Sequence, residues 1–421
     1  MKIVKRLASS RWGANKSTLR QIYLGYVRSK LEHNLALQSI CSLTLQEKLE
    51  KVQNEAVKFI SGGMKSTPIA ACEIESNIEP LNLRREASVV EMVERYRRCD
   101  KDHPNRKLVE KWTPSENIKK KSILKVERKL QEKHNLPGNR EIICPVSKDL
   151  PPNRKILTPD IKLNLIEEIS KTNTDPVSLY QLGVKTIMSY PDSFHQVYTD
   201  GSAFKGTSKA GCGARIEYSD KSCDELAEPC GLYCDNFKAE ALALQHSLFK
   251  MTETFDTYPN KIADCVIFSD SQSVLKVLDE ENYSTIAIRD LAINISNFIQ
   301  RFNITLCLQW IPSHCGIEGN ERADNLAKRG ASMLQPDSSV SQATAKQILK
   351  SNKTIEWLNQ WAQSDKGRVM FQHVSKPNKN DPINLLERKD QVVIFRLRTN
   401  HIQLNAHLSR IKKDHEPSCV L

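Results

Sequence analysis

The chain has 421 residues, 27% of them charged and 39% hydrophobic, an ordinary folded-protein mix and too long for one typical domain. It carries a formal net charge of +12 and twelve scattered cysteines. No apolar run approaches the roughly 20 residues of a membrane span, and no secretory signal is legible. The cysteines form no disulfide framework and read as free thiols in a reducing compartment.

Residues 1–98 read as helical. Leu45, Leu49, Val52, Ala56, Phe59 and Ile60 recur at helical spacing, Gly62-Gly63 punctuates, Pro68 opens a further segment, and Leu81 to Tyr96 is helical again. No acid precedes Glu32, while Lys, Arg and Ser are frequent. That composition suits a basic amphipathic helix for nucleic acid better than a mitochondrial transit peptide.

Residues 99–195 hold nine of the chain's 18 prolines and read as a linker or loose connection. Lys119-Lys120-Lys121 is a solvated face, or else a weak nuclear-import or phosphate-binding patch.

Residues 196–332 alternate strands and helices. Strands are expected at Gln196–Thr199, Ala210–Tyr218, Leu226–Tyr233, Cys265–Ser269 and Ile304–Trp310. Helices are expected at Phe237–Met251, Val274–Leu278, Ile286–Phe302 and Glu318–Arg329. Gly211 and Gly213 allow close packing or a bulge. Three strands, then helices between further strands, imply an α/β fold: a mixed sheet with helices on its faces. This segment has 13 Lys and Arg against 19 Asp and Glu, a net of −6, so the rest of the chain carries +18. Any attraction for phosphate comes mostly from the flanks. Residues 333–421 start polar; Trp357, Trp361, Phe371 and Phe395–Arg398 then predict a mostly helical tail.

Four acids stand in order in this segment. Asp200 follows Val197-Tyr198-Thr199, Glu240 ends Asn236-Phe237-Lys238-Ala239-Glu240, Asp270 follows Val266-Ile267-Phe268-Ser269, and Asp324 ends Gly319-Asn320-Glu321-Arg322-Ala323-Asp324. Alone, an Asp-Gly is a turn and a Glu on an Ala/Leu helix is surface. Together, two acids end neighbouring strands and two project from helices toward them. Buried carboxylates cost free energy unless paired or bound to metal, and such acids repel unless cations lie between them. Oxygen ligands with open coordination suit Mg²⁺ or Mn²⁺. Two such ions roughly 3.5–4 Å apart would activate a water and stabilise a leaving oxygen in phosphodiester cleavage.

The blocks Tyr-Thr-Asp-Gly-Ser, Lys-Ala-Glu-Ala-Leu, Phe-Ser-Asp-Ser-Gln and Trp-Ile-Pro-Ser-His-Cys-Gly-Ile-Glu-Gly-Asn-Glu-Arg-Ala-Asp resemble the signature blocks of ribonuclease H domains, nearest to those of non-LTR (LINE-type) retrotransposons. The resemblance covers about residues 196–332. It implies a ribonuclease H-like fold with a five-stranded mixed sheet, two-metal Mg²⁺-dependent cleavage of RNA in RNA–DNA hybrids, and Asp200, Glu240, Asp270 and Asp324 as metal ligands. His314 matches a histidine assisting proton transfer or product release, work that suits an imidazole. Gly201, Ser202, Asn236 and Gln272 are candidate contacts to the ribose 2′-OH or phosphate, although each could cap a turn or helix. No basic, Trp-containing insertion separates Val274–Leu278 from Ile286–Phe302, so weak binding is expected of this domain alone, with residues 1–195 or a partner supplying grip.

Residues 1–98 resemble the thumb-like region after the reverse-transcriptase palm of the same elements. The match rests on Trp12-Gly13-Ala14, Tyr23 to Tyr26, Leu49 to Ala56 and Pro80 to Glu86. No adjacent Asp-Asp pair occurs, so no polymerase activity is expected, and Met1 reads as falling within a longer ancestral frame. A reverse transcriptase acting in trans is a possible partner. Arg396 to His401 and Leu404 to Leu408 resemble the segment before a zinc knuckle, but Cys419 alone cannot build a tetrahedral site. Cys223, Cys230 and Cys234 lack a paired Cys-x-x-Cys and read as free thiols. Two other readings stand beside the nuclease: an idle nucleic-acid-binding or interaction protein, and an integrase or transposase relative. The His-x-Gly and Ala-Asp ending fits the last less well. Nuclear residence is an expectation from the element's life cycle.

Overall fold

Side chains alternate across a strand, so a strand covered on both faces must be buried throughout. Cys265–Ser269 and Leu306–Trp310 are such strands, with every residue buried. They form the middle of the sheet in this computed structural model, which describes all residues except 11, 114–120, 144–155, 168–174, 205–208, 284, 403, 405–408 and 410–421. The chain divides into two units. One comprises Met1–Tyr96, Leu108–Leu136 and Ile348–Leu421; the other comprises Arg97–Lys107 and Pro137–Gln347. No helix among the described residues is long and apolar enough to cross a membrane.

The second unit contains β1 (Asp160–Lys162), α1 (Pro176–Met188), β2 (His195–Phe204), β3 (Lys209–Glu217), β4 (Cys223–Leu232), α2 (Asn236–Thr257), β5 (Cys265–Ser269), α3 (Gln272–Asp279), α4 (Ile286–Phe302), β6 (Leu306–Trp310) and α5 (Glu318–Ser332). The sheet order is β1-β6-β5-β2-β3-β4. β2, β3 and β4 pair antiparallel; β2 with β5, β5 with β6 and β6 with β1 pair parallel. Alternation along the strands sorts the core. Val197, Ile267 and Leu308 face a cluster with Leu244, Leu248 and Phe255 of α2 and Leu291, Ile295 and Phe298 of α4. Their neighbours Tyr198, Phe268 and Cys307 face a second cluster with Ile317 and Ala323.

The structure adds to one expectation and corrects others. The five strands expected within residues 196–332 are present as β2–β6, and the sheet gains a sixth: β1 comes from the proline-rich stretch and pairs Asp160–Lys162 with Cys307–Gln309. That stretch is more than a connection, since Pro104–Lys111, Ile123–His134 and Pro176–Met188 are helices. Proline is tolerated at a first helical position, which explains Pro104 and Pro176 as starts rather than breaks. β2 and α2 also run beyond their expected ends. β2 carries Asp200 inside the strand, paired with Gly213, rather than after it.

In the first unit, helix Leu43–Ser61 buries Ala56, Val57 and Ile60 against Leu19, Tyr23, Ile74 and Leu83. Trp357, Trp361, Met370 and Phe395 of the tail complete that same core. The tail and the N-terminal helices are thus one structural unit, although no local pattern in the sequence links them. Cys419, Lys119, Lys120 and residues 405–408 lie outside the described residues. Every described cysteine is a free thiol.

Candidate active site

Asp200 is positioned by the pairing of β2 with β3 on one side and with β5 on the other. The next residue must be small: a Cβ on Gly201 would lie 2.3 Å from the Glu240 backbone nitrogen. This close approach brings α2 against β2, and the Gly201 amide donates to Glu240 Oε2 at 3.0 Å. Asp235 caps α2 by accepting from the Lys238 amide, so Glu240 sits in the first turns, over the strand end. On the other side, Gly213 lets α5 approach β3, since a Cβ there would lie 2.3 Å from the Ala323 carbonyl oxygen. That contact places Asp324.

The structure brings the four acids together. Carboxylate oxygens of Asp200, Glu240 and Asp270 all lie within 4.8 Å of one another, and His314, Glu321 and Asp324 meet the same measure as a second group. Asp324 lies near enough to Asp200 for its charge to raise that carboxyl, which links the two groups. Burial, and then the charges of Asp270 and Asp324, push the Asp200 carboxyl up to about 8. Burial followed by Asp200 and Asp270 raises Glu240 well above the ordinary carboxylate range.

Neutral donors orient two of these carboxylates. Asn236 Nδ2 donates to Glu240 Oε1 at 3.3 Å, opposite the Gly201 amide, and Asn320 Nδ2 donates to Asp270 Oδ2 at 3.4 Å. Asn320 Oδ1 is buried without a partner. Asp324 has a cation close by, Lys328 Nζ at 2.6 Å, and that lysine is mostly exposed. The donor set is oxygen-rich, buried and short of positive charge, which fits a hard divalent cation.

The groove in front of the acids encloses about 580 Å³. Gly201, Ser202, Asn236, Gln272 and His314 all line it. Gln272 is partly committed, since its Nε2 donates to the Leu163 carbonyl at 3.1 Å. His314 is exposed, with φ of 52°, in the turn that Gly316 completes. Sequence reasoning missed Asn320, Glu321 and Lys328. Their signal was available: they stand four before, three before and four after Asp324, on one helix face.

Known proteins resemble part of this chain. The family model described as RNase H matches residues 192–332. A ribonuclease H of Saccharomyces cerevisiae is 32% identical over 180 residues, 37% of this chain and 50% of that protein, so the match spans half of the relative's length. Two solved structures are also similar. LC11 RNase H1 in complex with RNA/DNA hybrid is 20% identical, with 32% of this chain and 96% of that one covered and a TM-score of 0.28. RNase H1 of the halophilic archaeon Halobacterium salinarum NRC-1 is 22% identical, with the same coverages and a TM-score of 0.27. The matched segment, a mixed sheet with flanking helices, has the ribonuclease H-like α/β fold.

Proposed function

We propose that this chain is an endoribonuclease that hydrolyses the RNA strand of RNA–DNA hybrids. The observation that carries the reading is the convergence of Asp200, Glu240 and Asp270 within 4.8 Å, with the charge of Asp324 also acting on Asp200, at one end of the sheet. Structural ion pairs would bring cations to such acids. Here Glu240 is held by the Gly201 amide and Asn236, which orient its carboxylate without spending its charge, and Asn320 donates to Asp270. Asp200, Glu240, Asp270 and Asp324 would hold two divalent cations, Mg²⁺ first and Mn²⁺ second, which supply an activated water and stabilise the leaving oxygen. His314, beside Asp324 and Glu321, moves a proton at the leaving side or helps release product. Gly201, Ser202, Asn236 and Gln272 line the groove where the strand's 2′-hydroxyls and phosphates would lie.

The same reading assigns the chain to a non-LTR retroelement, as a polyprotein segment or a gene derived from one, acting in the nucleus beside a reverse transcriptase supplied in trans. The resemblances of residues 1–98 and 196–332 to that source support it.

Cleavage of a labelled RNA–DNA hybrid in Mg²⁺, beside double-stranded RNA and DNA and with Asp270→Asn in parallel, is the test. Hybrid-only cutting that the variant loses is the expected result. Binding without cutting in both Mg²⁺ and Mn²⁺ would make the chain an idle binding protein.

A further inference from the structure

The acidic groove faces a problem of attraction. Its unit has 26 Lys and Arg against 29 Asp and Glu, a net of −3, whereas the other unit has 36 against 21, a net of +15. A polyanion is drawn to the second of these.

Within that basic unit one groove of about 490 Å³ concentrates the charge. Helix Ile123–His134 forms one wall, with Lys125, Lys129 and Lys133 four residues apart on one side. Lys133 is committed to Glu86 at 2.9 Å and Glu356 at 3.4 Å. The groove's two carboxylates are already paired, Glu86 by Lys133 and Glu50 by Arg85 at 3.1 Å. Lys121 and Lys129 therefore face the groove with no carboxylate partner among the described residues, and Lys125 lines it between them. Arg85 forms part of the lining and is 5% exposed. Its Nη1 donates to Gln46 Oε1 at 2.7 Å and its Nη2 to Glu50, but its Nε–H is buried with no acceptor. A buried donor left without an acceptor costs stability. The groove thus offers an excess of donors and positive charge with the acids spent. The matching ligand is one that only accepts hydrogen bonds and repeats its negative charge, which is a phosphodiester chain.

We infer that this groove docks the sugar–phosphate backbone of a nucleic acid, with Lys121, Lys125 and Lys129 as its phosphate contacts. The choice of an RNA–DNA hybrid as that nucleic acid rests on the proposed function.

The test is binding of a labelled hybrid by the full chain in EDTA, where cutting is off, read by fluorescence anisotropy across a salt series. The triple variant K121Q/K125Q/K129Q is expected to bind about tenfold or more weakly, with the slope of log affinity against log salt reduced by roughly 2 to 3. The triple Lys→Arg variant is expected to keep the wild-type slope. An unchanged slope in the Gln variant overturns the inference, as does an equal loss on changing Lys250 and Lys276 of the other unit to Gln. Loss of polyglutamate binding with hybrid binding intact also overturns it, in favour of an acidic protein partner. Cutting distinguishes the two readings. A chain that cuts hybrid but ignores the triple variant loses only the groove. One that binds through the three lysines but never cuts in Mg²⁺ or Mn²⁺ loses only the nuclease.

Discussion

Asp200 stands where a carboxylate on its own keeps its proton: buried, beside Asp270 and Asp324, with its carboxyl pushed up to about 8. This conflict makes two opposite predictions for Asp200→Asn. In EDTA the variant should be more stable than wild type by about 1–2 kcal/mol, because a desolvated, repelled acid is gone. In saturating Mg²⁺ the order should reverse, because wild type gains about 2.7 kcal/mol at a hundredfold excess over the dissociation constant and the variant gains little. Calorimetric melting in both conditions checks this; a variant that melts lower without metal would mean there is no conflict to relieve. A second buried acid has no such role. Burial raises Glu73 in helix Ile69–Ser76 from its ordinary 4.5 to about 8, against the lowering effect of a bond from Gln53. The folded chain then binds more protons than the unfolded chain between those values. Stability from this group is complete below about 4.5 and is lost as pH rises through 8. The unfolding free energy from urea titrations should fall from pH 5 to pH 9 in wild type, by at most ~4–5 kcal/mol from this residue. Glu73→Gln should remove that part of the slope.

At the scale of elements, the site depends on how closely helices approach the sheet. Gly201→Ala would drive a methyl into the backbone of α2, and backbone cannot swing aside as a side chain does. A loss of about 1–3 kcal/mol in urea unfolding is expected, with a loss of cleavage larger than the stability change explains, because Glu240 moves with α2. Gly201→Ala with full activity would show that the contact is slack. β1 carries a different lesson. It covers the edge of β6, and Gln309 Nε2 reaches back to the Asn164 carbonyl at 2.9 Å. A fragment of residues 192–332, the span of the family match, would lack both and expose a buried, largely apolar strand as an edge. It should aggregate at concentrations where a fragment of residues 156–335 stays monomeric, as light scattering would show. The long periodic elements were legible in the sequence, and β5 and α4 fall where the pattern puts them. Three-residue β1 was not, because a strand that short has no periodicity and is specified by the edge it meets.

For the whole molecule, charge is the decisive property. With one unit at +15 and the other at −3, hybrid binding by the full chain should weaken steeply with salt, by more than about tenfold between roughly 50 and 200 mM. A filter-binding series in EDTA measures it, and affinity that is flat with salt would remove electrostatics from the account of binding. The order of the four acids, their strand and helix settings and the charge imbalance are all properties of local sequence, so they are legible in the chain itself. The contacts are different. Asp200 and Glu240 are forty residues apart, and the glycine at 201 against the α2 backbone makes them neighbours. Asn320 reaches Asp270 across fifty residues, and Trp361 joins a core begun by Leu19. The sequence by itself determined which groups are present and which elements carry them, because propensity and periodicity act over a few residues. Only the tertiary structure decided which groups meet, because packing joins positions that no local pattern relates.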